Sequence, residues 1–337
     1  INSQISISIK LKKKFKLMKS KPIIIVTGNK NTIFFEIFFK CLKLKKYKSP
    51  LILIGDLNIL KRKMDRYKFK KKINLLNIND LKKTDLNNNN LNLINVSFNK
   101  NLKKSESIKS SLYIKDSFEV AFKILRFRYS KKFLNGPINK DVFLKKKYLG
   151  ITEYISTKFK KNKTAMLIYN KDLSVCPITT HLPLKIVSKK ISRKLIIEKT
   201  ILIDDFFKKN FGKKPKIGVT GLNPHCESIL KINEDKKIIY PTINFLKKKG
   251  YRINGPFAAD TIFLKQNRIK YDVILGMYHD QVLGPIKTLK EYDAINITLG
   301  LPFFRVSPDH GTNEKMVDKN VSNPLSLIRA LEFLDKR

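Results

Sequence analysis

The chain has 337 residues, 42% of them hydrophobic, and carries 71 lysines and arginines against 27 acids, a net charge of +44. This length buries a sizeable core and is long for one domain, so we expect two closely associated domains. Three cysteines without CxxC spacing argue against a disulfide scaffold or a zinc ribbon, and no apolar run reaches the roughly 20 residues of a membrane helix, so we expect a soluble, cytoplasmic protein.

The first part of the chain is strongly basic and weakly patterned. Residues 1–20 contain no acid and include Met18, which indicates either a basic N-terminal arm or a misassigned start. From about 58 to 110 the sequence is rich in Lys and Asn, as in "DLNNNNLNLINVS", which is typical of loops with short strands. After residue 110, apolar runs alternate with helical patterns such as "DSFEVAFKILRFRYSKKF" (116–133).

Seven apolar segments bounded by turn residues are predicted to be strands. They are "PIIIVTG" (22–28), "PLILIGD" (50–56), "TAMLIYN" (164–170), "SVCPITT" (174–180), "KIGVTGL" (216–222), "YDVILGM" (271–277) and "AINITLG" (294–300). Most are apolar throughout rather than alternating, so both of their faces are buried, as in a sheet covered by helices. The sequence therefore predicts an α/β fold.

Three of the four histidines follow predicted strands. His181, His225 and His279 come just after the fourth, fifth and sixth of these segments. In open α/β sheets ligands bind outside the carboxyl ends of the strands, where three imidazoles could converge on one divalent cation and leave positions open for substrate. The alternative is three unrelated loop or core histidines, and the spacing alone leaves both readings open.

The same regions carry charged and amide side chains. Asp260 follows a Gly-Pro turn, Asp280 is adjacent to His279, and Lys287 lies eight positions further on. A last group is spread around small-residue turns near the C-terminus: Asn296, Arg305, Asp309 and His310. Arg and Lys at strand ends are natural partners of phosphate or carboxylate. Because lysine is abundant and arginine scarce in this chain, Arg305 is the stronger candidate.

Taken together, these motifs resemble the 4-hydroxythreonine-4-phosphate dehydrogenase family of pyridoxal phosphate biosynthesis. The resemblance rests on "GPINK" (136–140), "GITE" (150–153), "TTHLPL" (179–184), "GLNPH", "GP" with "ADT", "YHDQ", "NITLGLPF" and "SPDHGT", in this order. It implies a two-domain fold like that of isocitrate and isopropylmalate dehydrogenases, with the active-site cleft between the domains. The first α/β domain would comprise residues 21–135 and 291–337. The second would comprise residues 136–290, and it would carry the metal ligands and the interface of a homodimer.

The resemblance also implies an activity, namely NAD-dependent oxidation of 4-phosphooxy-L-threonine at its secondary hydroxyl, followed by decarboxylation to 3-amino-2-oxopropyl phosphate. It implies a divalent ion, zinc, cobalt or magnesium, on His181, His225 and His279. The implied substrate contacts are Thr152, Lys287, Asn296 and Arg305, and the implied cofactor loop is Asp309, His310, Gly311 and Thr312. No GxGxxG follows a strand, so NAD rests on the resemblance alone. Lys287 would act in catalysis, and Asp260 and Asp280 are candidates either for the proton acceptor or for a carboxylate that orients a histidine.

Some positions depart from the family pattern. Ile151 stands where the family motif has His, and the turn "GNKNTIFFE" keeps Gly28 and Glu36 but loses other glycines. After His225, "CES" replaces a small, glycine-containing turn. These changes leave two alternatives, a related dehydrogenase acting on another phosphorylated hydroxy acid, or a degenerate basic binding protein without catalysis. The lysines are spread along the whole chain, which favours a solvated surface, so we do not expect a nucleic-acid partner despite the charge.

Overall fold

The computed structural model describes residues 20–98, 103–144, 148, 150–227 and 233–337. The predicted basic segment 1–20 therefore lies, except for Ser20, outside the described residues. Among the described residues, no helix is both long enough and apolar enough to cross a membrane.

Twelve strands of the described chain form one sheet. They are β1 (Ile23–Val26), β2 (Leu51–Gly55), β3 (Ile73–Leu75), β4 (Leu91–Asn95), β5 (Lys132–Asn135), β6 (Ala165–Tyr169), β7 (Ser174–Thr179), β8 (Ile217–Thr220), β9 (Ile253–Phe257), β10 (Val273–Tyr278), β11 (Ile295–Leu299) and β12 (Phe304–Pro308). All seven predicted strands are present. Those seven are almost entirely buried, which confirms the α/β prediction.

Helices connect the strands and cover the sheet. They are α1 (Phe34–Leu44), α2 (Leu57–Arg66), α3 (Glu106–Arg126), α4 (Lys140–Leu144), α5 (Ile151–Lys158), α6 (Leu184–Lys190), α7 (Arg193–Phe211), α8 (Tyr240–Lys248), α9 (Ala259–Ile262), α10 (Lys265–Arg268), α11 (His279–Lys290) and α12 (Leu325–Asp335). A π-helical turn, Asp235–Ile239, precedes α8, and short 3-10 turns lie at Ile78–Asp80, Pro224–Cys226 and Glu314–Met316.

The helix predicted over 116–133 has different bounds. It begins at Glu106, because the Ser105 hydroxyl caps it by accepting from the Ile108 N–H at 3.4 Å, and it ends at Arg126. Its predicted C-terminal part, "KKF" (131–133), instead leads into β5, which begins at Lys132, beyond a break at Arg128, whose φ is +55°. A left-handed residue ends the helix, so the apolar residues that follow continue as a strand.

The sheet order is β3-β4-β2-β1-β5-β12-β11-β6-β7-β10-β8-β9. Most neighbours are parallel, but β11 is antiparallel to both β12 and β6, and β6 is antiparallel to β7. The pairing of β11 with β6 joins the strands of the two predicted domains in one sheet. Their division at residues 135 and 290 stays a prediction.

The core is built on both faces of this sheet. The side chains of β1 are completely inaccessible to solvent, and those of Phe34 and Phe38 on α1 are stacked with 5.5 Å between ring centroids. Burying such aromatic and β-branched side chains contributes roughly 1.5–3 kcal/mol each. A rigid sheet of this kind fixes the positions of the loops and strands that form the site described below.

Candidate active site

A cleft of about 410 Å³ lies over the centre of the sheet. Its walls come from β5 and the segment after it, from the start of α5, from the loop after β7, from α11, and from β11 and β12. Nine predicted site residues line it: Thr152, His181, His279, Lys287, Asn296, Arg305, Asp309, His310 and Gly311. Residues separated by more than 150 positions in the sequence are thus brought to one concave surface, which is the usual geometry of a small-ligand site.

Arg305 is a buried cation on this surface. Its side chain lies on β12 rather than in a loop and is only 4% exposed. Its guanidinium donates to Asn135 Oδ1 and Thr298 Oγ1, both at 3.0 Å, and to Thr152 Oγ1 at 3.5 Å. Within the described chain, no carboxylate lies within 4 Å of it. Burial lowers the pKa of Arg305 to about 10, although the charge of Glu153 acts to raise it. The guanidinium is therefore still cationic at neutral pH.

A buried guanidinium whose described partners are all neutral oxygens is poised to bind an anion. Burying a charge is costly unless it is paired, and a ligand carboxylate or phosphate would supply the missing charge through a two-pronged contact. Asn296 lies on β11 beside this group, opposite Ser307 in the antiparallel register. The Asn296 Oδ1 atom is buried and has no hydrogen-bond partner in the described residues, so it also offers a polar contact to a ligand.

Lys287 connects the cleft wall to the predicted cofactor loop. Its Nζ lies 2.6 Å from Asp309 Oδ2 and also donates to the Asp309 carbonyl. The Asp309 N–H donates to Ser326 Oγ at 2.8 Å, which fixes the loop against α12. Next to it, burial lowers the pKa of His310, whose Nε2 has no partner among the described groups. Thr312 lies just outside the cleft, where its carbonyl accepts from the Ile33 N–H at 3.4 Å.

Two of the predicted metal ligands face each other in the cleft. The ring centroids of His181 and His279 are 5.9 Å apart, and they follow β7 and β10, which are parallel neighbours. Burial lowers the pKa of His181. The cation of Lys140 adds to this effect, because its Nζ lies 3.4 Å from His181 Nε2. The ring is therefore neutral at neutral pH, the form that binds metals. Gly150 leaves room for it, because a Cβ at that position would lie 3.0 Å from the ring.

The third predicted ligand lies elsewhere. His225 follows β8, the other parallel neighbour of β10, but its side chain is exposed and does not line the cleft. Both His225 and Cys226 have positive φ angles, +54° and +61°, which residues other than glycine seldom adopt. Across the described ranges, no three His, Cys, Asp or Glu side chains converge as a metal site would require. One chain therefore brings together two of the three predicted ligands.

The two predicted carboxylates do not line the cleft either. Asp260 is exposed on α9. Asp280 Oδ1 lies 2.7 Å from His279 Nδ1, so this carboxylate can orient the imidazole and leave Nε2 directed elsewhere. This contact favours the orienting role for Asp280 over that of proton acceptor.

Sequence reasoning assigned no role to Asn135 and Lys140, which both line the cleft. Asn135 ends β5 and holds Arg305, while Lys140 begins α4 and approaches His181. Both belong to or adjoin the segment "GPINK". The sequence did contain a signal for these two residues, because "GPINK" was part of the motif pattern. They were missed because the strand before this segment, β5, is not a continuous apolar run and was not predicted.

Comparisons with known proteins identify the family of this chain. The sequence model described as "Pyridoxal phosphate biosynthetic protein PdxA" matches residues 46–334. The chain is 36% identical to the 4-hydroxythreonine-4-phosphate dehydrogenase of Sulfurihydrogenibium sp. (strain YO3AOP1), over 92% of this chain and 96% of that protein. It is 39% identical to the enzyme of that name from Aquifex aeolicus, over 60% of this chain and 63% of that one.

Solved structures give the same result. The crystal structure of 4-hydroxythreonine-4-phosphate dehydrogenase from Klebsiella pneumoniae superposes with a TM-score of 0.78 at 25% identity, covering 94% of this chain and 98% of that one. The enzyme from Burkholderia phymatum gives 0.74 at 25% identity, covering 93% and 98%. The family expected from the motifs is thereby confirmed, and this chain belongs to the PdxA family of pyridoxal phosphate biosynthetic proteins.

Proposed function

We propose that this chain oxidises 4-phosphooxy-L-threonine at its secondary hydroxyl and decarboxylates the product to 3-amino-2-oxopropyl phosphate, a step of pyridoxal 5′-phosphate biosynthesis. The hydride goes to a nicotinamide dinucleotide, NAD by the resemblance, and the hydroxyl proton is released. The resulting 3-keto acid then loses CO2, and the enolate that remains takes up a proton to give the product. The name of the curated relatives supports this reaction, and the observation that carries it is the buried Arg305 in a cleft with Thr152, Lys287 and Asn296.

Arg305 and Lys287 would bind the two anionic groups of the substrate, its phosphate and its carboxylate. Arg305 suits a planar, two-pronged contact, because Asn135 and Thr298 hold its guanidinium in one orientation. Lys287 is paired with Asp309, so a substrate anion would compete with that carboxylate for the ammonium group. Thr152 and Asn296 would add neutral hydrogen bonds that fix the orientation of the substrate.

Of the three histidines proposed to hold a divalent ion, zinc, cobalt or magnesium, two lie in the cleft of one chain. His181, with a buried Nδ1 that lacks a described partner, and His279 fit such an ion, but His225 does not reach it. We propose that a homodimer completes the site, since the exposed His225 is accessible to a second copy. When bound, such an ion would acidify the substrate hydroxyl and stabilise the enolate left by decarboxylation.

The test measures reduced nicotinamide formed from 4-phosphooxy-L-threonine, with and without a chelator, in the wild type and in two arginine variants. Arg305→Lys keeps the charge but loses the planar fork, so we expect kcat/KM to fall roughly 10- to 100-fold, mostly through KM. The matched control is Arg329→Lys, at an exposed arginine paired with Asp293 outside the cleft, which should leave kcat/KM unchanged.

A folded, metal-loaded protein without turnover would contradict the proposal. The same assay would then be run with other phosphorylated hydroxy acids, because Ile151 presents an aliphatic side chain to the cleft where the family motif has histidine. That contact is the observation that favours the related-dehydrogenase alternative.

A further inference from the structure

Two buried polar atoms beside the cleft have no hydrogen-bond partner among the described residues, and both lie next to Gly150. One is Oε2 of Glu153 and the other is Nδ1 of His181. A Cβ at Gly150 would stand 2.7 Å from the Glu153 oxygen and 3.0 Å from the His181 nitrogen. Both atoms are therefore close to one point, and one water molecule or a small side-chain rotation would join them. Because leaving a buried donor or acceptor unpaired is costly, the two groups are natural partners.

The contacts of His181 indicate which of its nitrogens carries the proton. Nε2 lies 3.4 Å from Lys140 Nζ. An ammonium group has three donors and no acceptor, so Nε2 is the acceptor, and Nδ1 is the protonated nitrogen of the neutral ring. The unpaired atom of the ring is thus a buried Nδ1–H donor. The carboxylate of Glu153, which only accepts hydrogen bonds when ionised, is the complementary group.

Other roles for Glu153 do not engage its Oε2 atom. Glu153 is the third residue of α5 after the N-cap Gly150, a position from which a glutamate commonly accepts from the N-cap N–H. Its buried Oε2 makes no such bond. The hydrogen bonds of Arg305 to described residues all go to neutral oxygens, so that guanidinium does not hold the carboxylate either. Glu153 does not line the cleft, and it therefore approaches His181 from behind the wall rather than from the substrate side.

We propose that Glu153 is a positioning residue for the metal site. It accepts a hydrogen bond from His181 Nδ1–H, directly or through one water, and so holds the ring with Nε2 free for the ion. The inference rests on the proposed function, which makes His181 a metal ligand. Metal-binding histidines usually donate their other N–H to a carboxylate or carbonyl, which fixes the tautomer and the ring orientation. His279 already has such a partner, because its Nδ1 lies 2.7 Å from Asp280 Oδ1.

The first measurement is the dissociation constant of zinc for the full chain, by competition with a chromogenic chelator. Glu153→Ala removes the acceptor, and we expect the constant to rise by about 10- to 100-fold, the usual effect of losing such a partner. Glu153→Gln keeps the shape and one acceptor oxygen but loses the charge, so we expect a rise of about tenfold, the lower end of that range. The matched control is Glu198→Gln, at another half-buried helical glutamate outside the cleft, which should leave the constant unchanged.

The second measurement is the NMR signal of the His181 ring in the metal-free protein, which a general loosening of the fold would not change selectively. The chain has only four histidines, so nitrogen-15 labelling of histidine gives a simple spectrum, in which His181→Gln identifies the signal. We expect a wild-type ring protonated at Nδ1, with that proton shifted downfield by the charge-assisted hydrogen bond. In Glu153→Gln the proton signal should move upfield, because a neutral amide oxygen is the weaker acceptor, and in Glu198→Gln it should not move.

Three results would overturn the inference. They are a wild-type His181 protonated at Nε2, an Nδ1 proton signal that is the same in Glu153→Gln as in the wild type, and an unchanged zinc constant in the folded Glu153 variants. If Glu153→Ala does not fold, Glu153→Gln alone decides. If the wild type binds no zinc, the proposed metal-dependent function fails, and the Nδ1 proton signal decides separately whether Glu153 holds the ring.

Discussion

Ile151 is the residue at which this chain departs most clearly from its family motif. It is the first residue of α5, is 6% exposed, and lines the cleft next to Thr152. We predict that Ile151→His raises kcat/KM for 4-phosphooxy-L-threonine by about tenfold. A hydrogen bond to a charged substrate group is worth roughly 1.5–3 kcal/mol, and the cost of burying an imidazole offsets part of it. Steady-state kinetics of reduced nicotinamide formation would measure the change.

The control for this prediction is Ile151→Leu, which keeps volume and polarity and should leave the rate within a factor of about three. Ile151 also belongs to the hydrophobic core, so each variant needs a thermal melt beside its kinetics. If Ile151→His folds normally and its kcat/KM is unchanged or lower, the position does not face the substrate as proposed.

Among the larger elements, the loop that carries His225 depends on one buried carboxylate. Asp235 is 1% exposed and begins the π-helical turn before α8. Its oxygens accept from the Leu222 N–H at 2.8 Å, from the Asn223 N–H at 3.1 Å and from Asn223 Nδ2 at 2.8 Å. Three donors on one carboxylate hold the turn in place, even though both His225 and Cys226 adopt positive φ.

We predict that Asp235→Asn lowers the free energy of unfolding by about 1–3 kcal/mol, because at least one buried N–H loses its acceptor. It should also lower the amount of metal bound per chain, since the loop no longer holds His225 in place. Urea denaturation and metal analysis after dialysis would measure the two effects. Asp205→Asn, at an exposed acid on α7, is the control and should change neither. Loss of stability with full metal content would mean that the loop does not position a ligand.

The elements also show what the sequence could and could not predict. Continuous apolar runs identified seven strands, but β5, β9 and β12 lack such runs. In β5, Lys132 is buried and donates to Ser49 Oγ at 2.8 Å. In β12, Arg305 is also buried, and the atoms that accept its hydrogen bonds are neutral oxygens. The strand-end argument placed His181 and His279 together correctly. It did not predict that His225 lies outside the cleft, and the positive φ angles of His225 and Cys226 could not be inferred from the strand pattern either.

On the scale of the whole molecule, the charge is unbalanced. With 71 lysines and arginines and only 27 acids, most cations have no acid available as a partner. The ion pairs of the described residues are mostly on the surface, where such pairs contribute roughly 0–1 kcal/mol each. Mutual repulsion of the remaining cations therefore opposes the compact state more than the pairs support it.

This balance predicts that salt stabilises the protein. Raising NaCl from about 0.01 to 0.1 M shortens the screening length from about 30 to about 10 Å, so repulsion between distant lysines falls while close pairs weaken only modestly. We expect Tm to rise by roughly 1.5–3 °C, equivalent to about 1–2 kcal/mol for a chain of this size. Differential scanning calorimetry would measure it, with sucrose at equal osmolality as the uncharged control. A fall in Tm over this range would show instead that local ion pairs, and not the net charge, dominate the electrostatics of the fold.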